Sequence, residues 1–256
     1  MKSGSSDCWI YLVLVTCCLL GNQVQARGDP LWEKATALTA ENQGWIPGII
    51  CTRLEELDKH GNILDIDETW TQLSLGNNGE VKSELTKRVK NGKDVTHELK
   101  NEKQTAVVIE SKDETQPEEQ EENNSASVGM ANPFEPEKQQ EIKTTRTEKM
   151  QHILGKNCVV FEFQQKTSPE NNLIGTAWLQ EKTGIPVQIK YTLTPLPKFT
   201  KKMETTIQYE YISKKEWYPK QMTIKATAGL LFIKKNFRSI VQFSEHWQKE
   251  PAPKVD

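Results

Sequence analysis

The stretch from Leu173 to Leu193, LIGTAWLQEKTGIPVQIKYTL, constrains the chain more than any other. Val187, Ile189, Tyr191 and Leu193 alternate with Gln188, Lys190 and Thr192, the period of two that sends one face of a strand into an apolar interior and the other into water. The preceding run, Gly175 to Leu179, is more apolar, and Glu181-Lys182-Thr183-Gly184 supplies a turn in which Gly184 is free to take a positive φ. Pro186 stands at the start of its strand, where its missing N–H is tolerated. A hairpin of this kind is marginal alone, so its apolar face demands further strands and a cover. The alternation predicts that Val187, Ile189, Tyr191 and Leu193 face the interior while Gln188 and Lys190 face solvent.

Further strands are present in both directions. Pro30 to Asn42 opens with a short helix carrying Leu31, Ala35 and Leu38 on one side. Trp45 to Asp58 reads as a strand interrupted at Pro47-Gly48, and Ile63 to Leu75 returns after the Lys59–Asn62 turn. Leu64, Ile66 and Trp70 share one phase and Leu73 and Leu75 the other, so a bulge is expected near Thr71. A third strand runs to about Val89. Polar helices are expected at 94–108 and 137–151. Cys158 to Phe163, the hairpin, Thr206 to Tyr211 and Trp217 to Ala228 continue the strands, with a bend at Gly229. Leu230 to Trp247 forms one long or two consecutive strands. Ten or eleven antiparallel strands with little helix indicate a sandwich, a barrel or a strongly curved sheet. The fold class expected is mainly β, and a strongly curved antiparallel sheet that does not fully close would take the short helices as its lid.

The rest of the chain sets the compartment. Residues 1–26 have the form of a secretion signal, with Lys2, an apolar run from Trp9 to Leu20 and the small-residue site Val24-Gln25-Ala26. That run of about 12 residues falls short of the roughly 20 that span a bilayer. Cleavage after Ala26 would leave one domain over 27–250 and a tail over 251–256, exported to the periplasm. A membrane-anchored lipoprotein through Cys17, in Leu14-Val15-Thr16-Cys17, is the alternative. Cys51 and Cys158 remain after cleavage, either paired as a disulfide or separate as small buried hydrophobes.

Charge is unevenly spread although the net is only −2. Residues 27–150 carry 16 basic and 25 acidic groups, and residues 151–256 carry 16 basic and 9 acidic. The lysines of the second half mostly alternate with apolar residues, which reads as the solvated face of strands rather than a nucleic-acid surface. Residues 109–131 form an acidic insertion too poor in apolar side chains to offset the entropy of ordering it. No catalytic or cofactor pattern stands out. His60, His97, His152 and His246 lie far apart, outside metal-ligand spacing, and no G-x-S-x-G or phosphate-binding glycine loop occurs. Neither enzyme activity, nor a metal, nor a cofactor is expected.

GTAWLQEKTGIPVQIKY, TPLPKFTKKMETTIQYEY and EWYPKQMTIKATAGLLFIKKNFRSIVQFSEHW resemble the C-terminal half of exported bacterial proteins of the LolA/LolB/LppX/RseB-like superfamily. CTRLEELDKHGNILDIDETW is similar to their first hairpin. The resemblance implies a half-open barrel capped by helices around an acyl-chain cavity, and a monomeric, non-catalytic carrier of a lipid or lipidated protein. In that setting the candidate lining residues are Trp178, Val187, Ile189, Tyr191, Leu193, Ile207, Tyr209, Tyr211, Phe237, Val241 and Phe243, each of which would otherwise be ordinary core. The alternative implied is an envelope interaction or sensing protein that docks a protein partner on the curved sheet.

Overall fold

The computed structural model describes residues 28–42, 44–76, 79–100, 130–213, 216–230 and 233–248. The expected leader with Cys17, the acidic insertion up to residue 129 and the tail lie outside the described residues. Helix α1 spans Pro30–Glu41. The strands are β1 (Trp45–Ile46), β2 (Ile49–Leu57), β3 (Ile63–Leu75), β4 (Val81–Lys90), β5 (Lys93–Asp94), β6 (Ile142–Ile153), β7 (Lys156–Lys166), β8 (Asn172–Gln180), β9 (Pro186–Thr194), β10 (Thr200–Ser213), β11 (Glu216–Leu230), β12 (Ile233–Ser244) and β13 (Trp247–Gln248). Eleven of them form one antiparallel sheet in the order β5-β4-β3-β2-β12-β11-β10-β9-β8-β7-β6. The chain walks outward from β2 to one edge, resumes at the opposite edge with β6, and returns strand by strand to β12, which pairs with β2 over Ile49–Leu57. The sheet does not close, and β1 with β13 makes a separate two-stranded ribbon.

Sequence periodicity and structure agree over α1 and over the hairpin except at Val187. Asp29 caps the helix by accepting a 2.9 Å bond from the Leu31 amide, and Pro30 occupies the first turn, where no N–H is needed. The register between β3 and β4 shifts between Trp70 and Thr71, where the change of phase predicts a bulge. Three expectations fail. Residues 137–151 keep only a 3₁₀ turn at Pro136–Glu141 before entering β6. Ile142, Thr144, Thr145 and Thr147 are β-branched and lie beside the apolar strand β7, so ladder pairing outweighs the helical preference of the flanking Glu and Lys residues. Of 94–108, the described portion is a 3₁₀ turn at Thr96–Lys100. Gly229 does not bend the chain; it pairs with Lys234 inside β11.

One face of the sheet, here called the inner face, carries the main core. Trp32 of α1 is 2% exposed and packs its ring 4.7 Å from Phe134 and 5.4 Å from Phe161, centroid to centroid. Its indole N–H donates to Gln139 Oε1 at 2.9 Å, so the polar edge of a buried tryptophan is satisfied. Gln139 in turn donates to the carbonyls of Pro133 and Glu135, tying the 3₁₀ turn to the helix. Asn42, just beyond α1, brackets the backbone of Trp217, donating to its carbonyl and accepting from its amide at 3.2 Å. These contacts fix α1 and Phe134 over β7 to β10.

Gly175 is what lets the core close at its densest point. A Cβ there would sit 2.4 Å from the Lys190 carbonyl oxygen and 2.7 Å from Cζ of Phe163. Only glycine allows the Phe163 ring to lie across β8 and approach Trp32. Gly175→Val is expected to destabilise the protein by about 2–4 kcal/mol through overpacking. Urea unfolding followed by circular dichroism checks it, and an unchanged midpoint would contradict the packing described.

Candidate ligand-binding face

Strand register lines up one row of side chains across ten strands: Arg146, Phe161, Ala177, Ile189, Ile207, Met222, Val241, Thr52, Thr69 and Arg88. Partners directly opposite in an antiparallel pair share a face, so the whole row belongs to the inner face. Its burial divides it. Phe161, Ala177, Ile189 and Ile207 are wholly buried beneath α1 and Phe134, whereas Met222, Thr52 and Thr69 are half-buried. Along this row the cover thins beyond β10, although Val241 is itself 8% exposed and Trp217, further along β11, belongs to the buried core.

Beyond that line the inner face continues as a trough. Met222, Ile224 and Ala226 on β11, Phe237, Val241 and Phe243 on β12, and Ile50 and Leu54 on β2 are apolar, and nearly all are partly exposed. Leu54 is 45% exposed, although it stands beside a β12 position that faces the same way. The trough ends at a charged pair on β3 and β4, where Arg88 reaches Asp67 through Nε at 3.1 Å and through a terminal nitrogen at 2.8 Å. From Phe237 to Phe243 it runs about 20 Å at roughly 3.3 Å per residue.

The sequence-derived residues thus fall into three places. Ile189, Tyr191, Ile207 and Tyr209 are buried in the packed core under α1, and Leu193 and Tyr211 are half-buried against it. Burial pushes the phenol pKa of both Tyr191 and Tyr209 upward, and the Tyr191 hydroxyl accepts from the Ala131 amide at 3.4 Å. Phe237, Val241 and Phe243 line the open trough. Trp178 and Val187 are on neither: they sit on the outer face in a small cluster with Cys158 and Val160. The alternation expected for Val187 is corrected by a bulge. Trp178 pairs with Gln188 and Leu179 with Pro186, leaving Val187 as the extra residue, turned outward beside Trp178. Trp178 satisfies its indole by donating to Gln151 Oε1 at 2.8 Å. Lys190 faces outward as expected and pairs with Glu204 at 2.8 Å.

Cys51 and Cys158 are free thiols, which corrects the disulfide expectation. They lie on β2 and β7 with β12, β11, β10, β9 and β8 between them, far beyond the roughly 7 Å Cα separation a disulfide allows. Burial raises both thiol pKa values, with Glu68 adding to the rise at Cys51. Met222, Ile224, Ile50 and Leu54 are trough residues that sequence reasoning did not select. Met222 and Ile224 carry the alternation that could have signalled them, but which half of the sheet stays uncovered is not written in any strand.

Behind the trough, the outer face is held by charge. Glu55 on β2 is 2% exposed and accepts from Arg238 on β12 at 2.5 Å and from Arg53 at 2.7 Å, and Arg53 also reaches Glu68 on β3 at 3.0 Å. Burial pulls the Glu55 pKa up, but the hydrogen bonds from Arg238 and Arg53 outweigh it and hold the carboxylate below its ordinary 4.5. The ladder joins β12, β2 and β3, of which β12 and β2 carry the trough.

The arrangement defines a class: an open antiparallel sheet whose inner face is half plugged by a helix and half left as an apolar trough. No family model and no curated protein sequence matches the chain. Among solved structures it is similar to an outer membrane lipoprotein-sorting protein domain from Vibrio parahaemolyticus, at 11% identity over 87% of this chain and 94% of that one, with a TM-score of 0.39. It is also similar to a LolA superfamily protein from Nitrosomonas europaea, at 11% identity over 89% and 95%, TM-score 0.38. A third similarity is to the Pseudomonas aeruginosa MucA/MucB complex, at 7% identity over 84% and 93%, TM-score 0.23. Similarities at these identities and TM-scores say nothing of what this chain binds. Among the described residues no helix is long and apolar enough to cross a membrane, and no group of three or more His, Cys, Asp or Glu side chains could hold a metal ion.

The Glu55 clasp makes stability depend on pH in a known direction. A carboxylate with a depressed folded pKa contributes fully above its unfolded value, near 4.5, and that contribution is lost as pH falls through the folded value. Glu55→Gln should cost about 2–4 kcal/mol at pH 7 by leaving two arginines without their shared acceptor. The difference between Glu55→Gln and the unsubstituted protein should shrink on titration from pH 6 to pH 3. Equal urea midpoints at pH 7 would refute it.

Proposed function

We propose that the protein is a non-catalytic, exported carrier that shelters the acyl chain of a lipid or lipidated protein in the trough, acting as a monomer. The supporting observation is the change across the inner face, from filled core at Ile189 and Ile207 to the partly exposed apolar side chains of Ile224, Phe237, Phe243 and Leu54. Contiguous apolar surface left open on a sheet is a binding surface or an aggregation hazard. Its lining of Phe, Val, Ile, Leu and Met offers area without directed chemistry, which suits a hydrocarbon.

Magnitudes favour a carrier that releases its cargo. Complete burial of a 16-carbon chain is worth about 10 kcal/mol. A trough touches one side of the chain, so about half of that, roughly 5 kcal/mol, is gained before the cost of immobilisation. That corresponds to dissociation in the tenths-of-millimolar range, weak enough for hand-off. Tight retention would require a second surface over the trough, supplied by the cargo itself or by an acceptor.

Lipid held this weakly dissociates during purification, so binding is read at equilibrium. N-phenyl-1-naphthylamine should bind and be displaced by palmitate, and Phe237→Asp or Val241→Asp should weaken the probe at least tenfold, while Gln188→Ala on the outer face should not. Probe binding indifferent to both aspartate substitutions would overturn the assignment. A stable protein partner captured without lipid would favour a protein-docking surface instead.

A further inference from the structure

One end of the sheet gathers exposed positive charge around exposed apolar side chains. Three connections lie side by side there, because β3, β2, β12, β11, β10 and β9 are consecutive in the sheet. They are the β2–β3 turn at 58–62, the end of the β11–β12 hairpin and the β9–β10 loop at 195–199. The last two are joined directly by the Gly229 amide, which donates to the Phe199 carbonyl at 2.9 Å. Lys59, Lys198, Lys201, Lys202, Lys225 and Lys234 are exposed at this end, and none has an ion-pair partner among the described residues. The acids beside them are already engaged: Glu56 with Lys235 at 3.0 Å, Glu204 with Lys190 at 2.8 Å, and Asp58 with the amides of His60 and Asn62 in its own turn. The whole chain carries a net charge of −2, so the positive excess is local to this end.

Large apolar groups stand among these cations. Phe199 is 51% exposed, Leu64 62% and Ile63 42%. Phe199 also holds a left-handed backbone, with φ at 67°, a conformation that residues with bulky side chains rarely adopt. Its ring gains no core packing in return; it meets Lys198, whose Nζ stands 5.2 Å from the ring centroid. Strain that presents an aromatic ring outward beside lysines points to a function at that loop. On the outer face behind the tips, a depression of about 290 Å³ extends from Gly61 to Lys202 and is bordered by Lys225, Arg238 and the Lys190-paired Glu204.

We infer that this end of the sheet docks on the surface of a bilayer bearing anionic phospholipids, with Phe199 entering the interface and Lys198, Lys201, Lys202 and Lys234 facing the head-group phosphates. An aromatic ring is favoured at the boundary between head groups and acyl chains. Each lysine close to an anionic bilayer strengthens attachment about fivefold, so a handful of them with one inserted ring gives reversible attachment. Phe237, at one end of the trough, closely follows Lys235 on β12, and docking brings that end of the trough to the bilayer. Docking does not require the carrier reading, since it needs no lipid in the trough.

Co-sedimentation with vesicles made of equal parts phosphatidylglycerol and phosphatidylcholine tests the inference. Binding should be about tenfold or more stronger than to pure phosphatidylcholine vesicles, and should fall steeply as salt is raised. Lys201→Glu combined with Lys202→Glu, at exposed positions, should weaken it by about twentyfold or more. Phe199→Ser should weaken it about fivefold and keep its salt dependence. Lys149→Glu combined with Lys182→Glu, the same change of charge toward the opposite end of the sheet, should alter it by no more than about twofold. Val241→Asp should keep its attachment to vesicles while losing N-phenyl-1-naphthylamine, so failure of the carrier reading and failure of docking are seen separately. Equal binding to neutral and anionic vesicles overturns the inference, as does undiminished binding of the Lys201→Glu and Lys202→Glu protein with an unaltered circular dichroism spectrum. Salt-sensitive binding to duplex DNA without binding to vesicles also overturns it.

Discussion

Insertion of Trp32 between α1 and the sheet is the contact on which the rest of the structure depends. An open sheet of eleven strands has one apolar face too wide for a single twelve-residue helix to cover. The Trp32 ring meets Phe134 and Phe161, its N–H is anchored by Gln139, and its position sets where cover begins. Where the cover ends follows from the same geometry. A helix of this length spans about 18 Å, or roughly four strand spacings, close to the width from β7 to β10. The strands beyond keep their apolar side chains and have no helix over them among the described residues.

The open half needs a rigid frame, because an uncovered sheet has no packing on its inner face to hold its strands together. That frame is supplied from the outer face. Glu55 joins β2 to β12 through Arg238, and Arg53 extends the ladder to Glu68 on β3. The pairing it braces is also the seam of the fold, where the first part of the chain meets the last. A buried carboxylate is costly alone and tolerable here because two guanidinium groups satisfy it. The plugged half relies on hydrophobic packing, and the open half on ladder hydrogen bonds and this ion pairing.

Much of the fold was legible in the residues. Alternation in β9 and β10, the capped helix at Pro30, and the phase change at Thr71 each map onto an observed element, because each is decided by contacts within one or two strands. The failures have a common origin. Residues 142–151 look helical from their charges, yet become β6 because β7 offers a ladder partner. Val187 follows the alternation on paper and leaves it in the structure because one extra residue is accommodated at the Trp178–Leu179 step. Cys51 and Cys158 are compatible with pairing in a list of two cysteines and incompatible with it once five strands stand between them. The candidate face was half legible: Phe237, Val241 and Phe243 share one side by their alternation and fall together on it, while Met222, Ile224, Ile50 and Leu54 were not separated from ordinary core.

The sequence by itself determined most of the strands and most of their apolar phase, since side-chain periodicity is a local property of the chain. Tertiary structure alone decided which apolar residues became core and which remained open. Ile189 and Met222 stand in the same cross-strand row and are both apolar, and one lies beneath Trp32 and Phe134 while the other is half-buried at the border of the trough. The difference is the reach of one helix, fixed by contacts between residues more than a hundred positions apart.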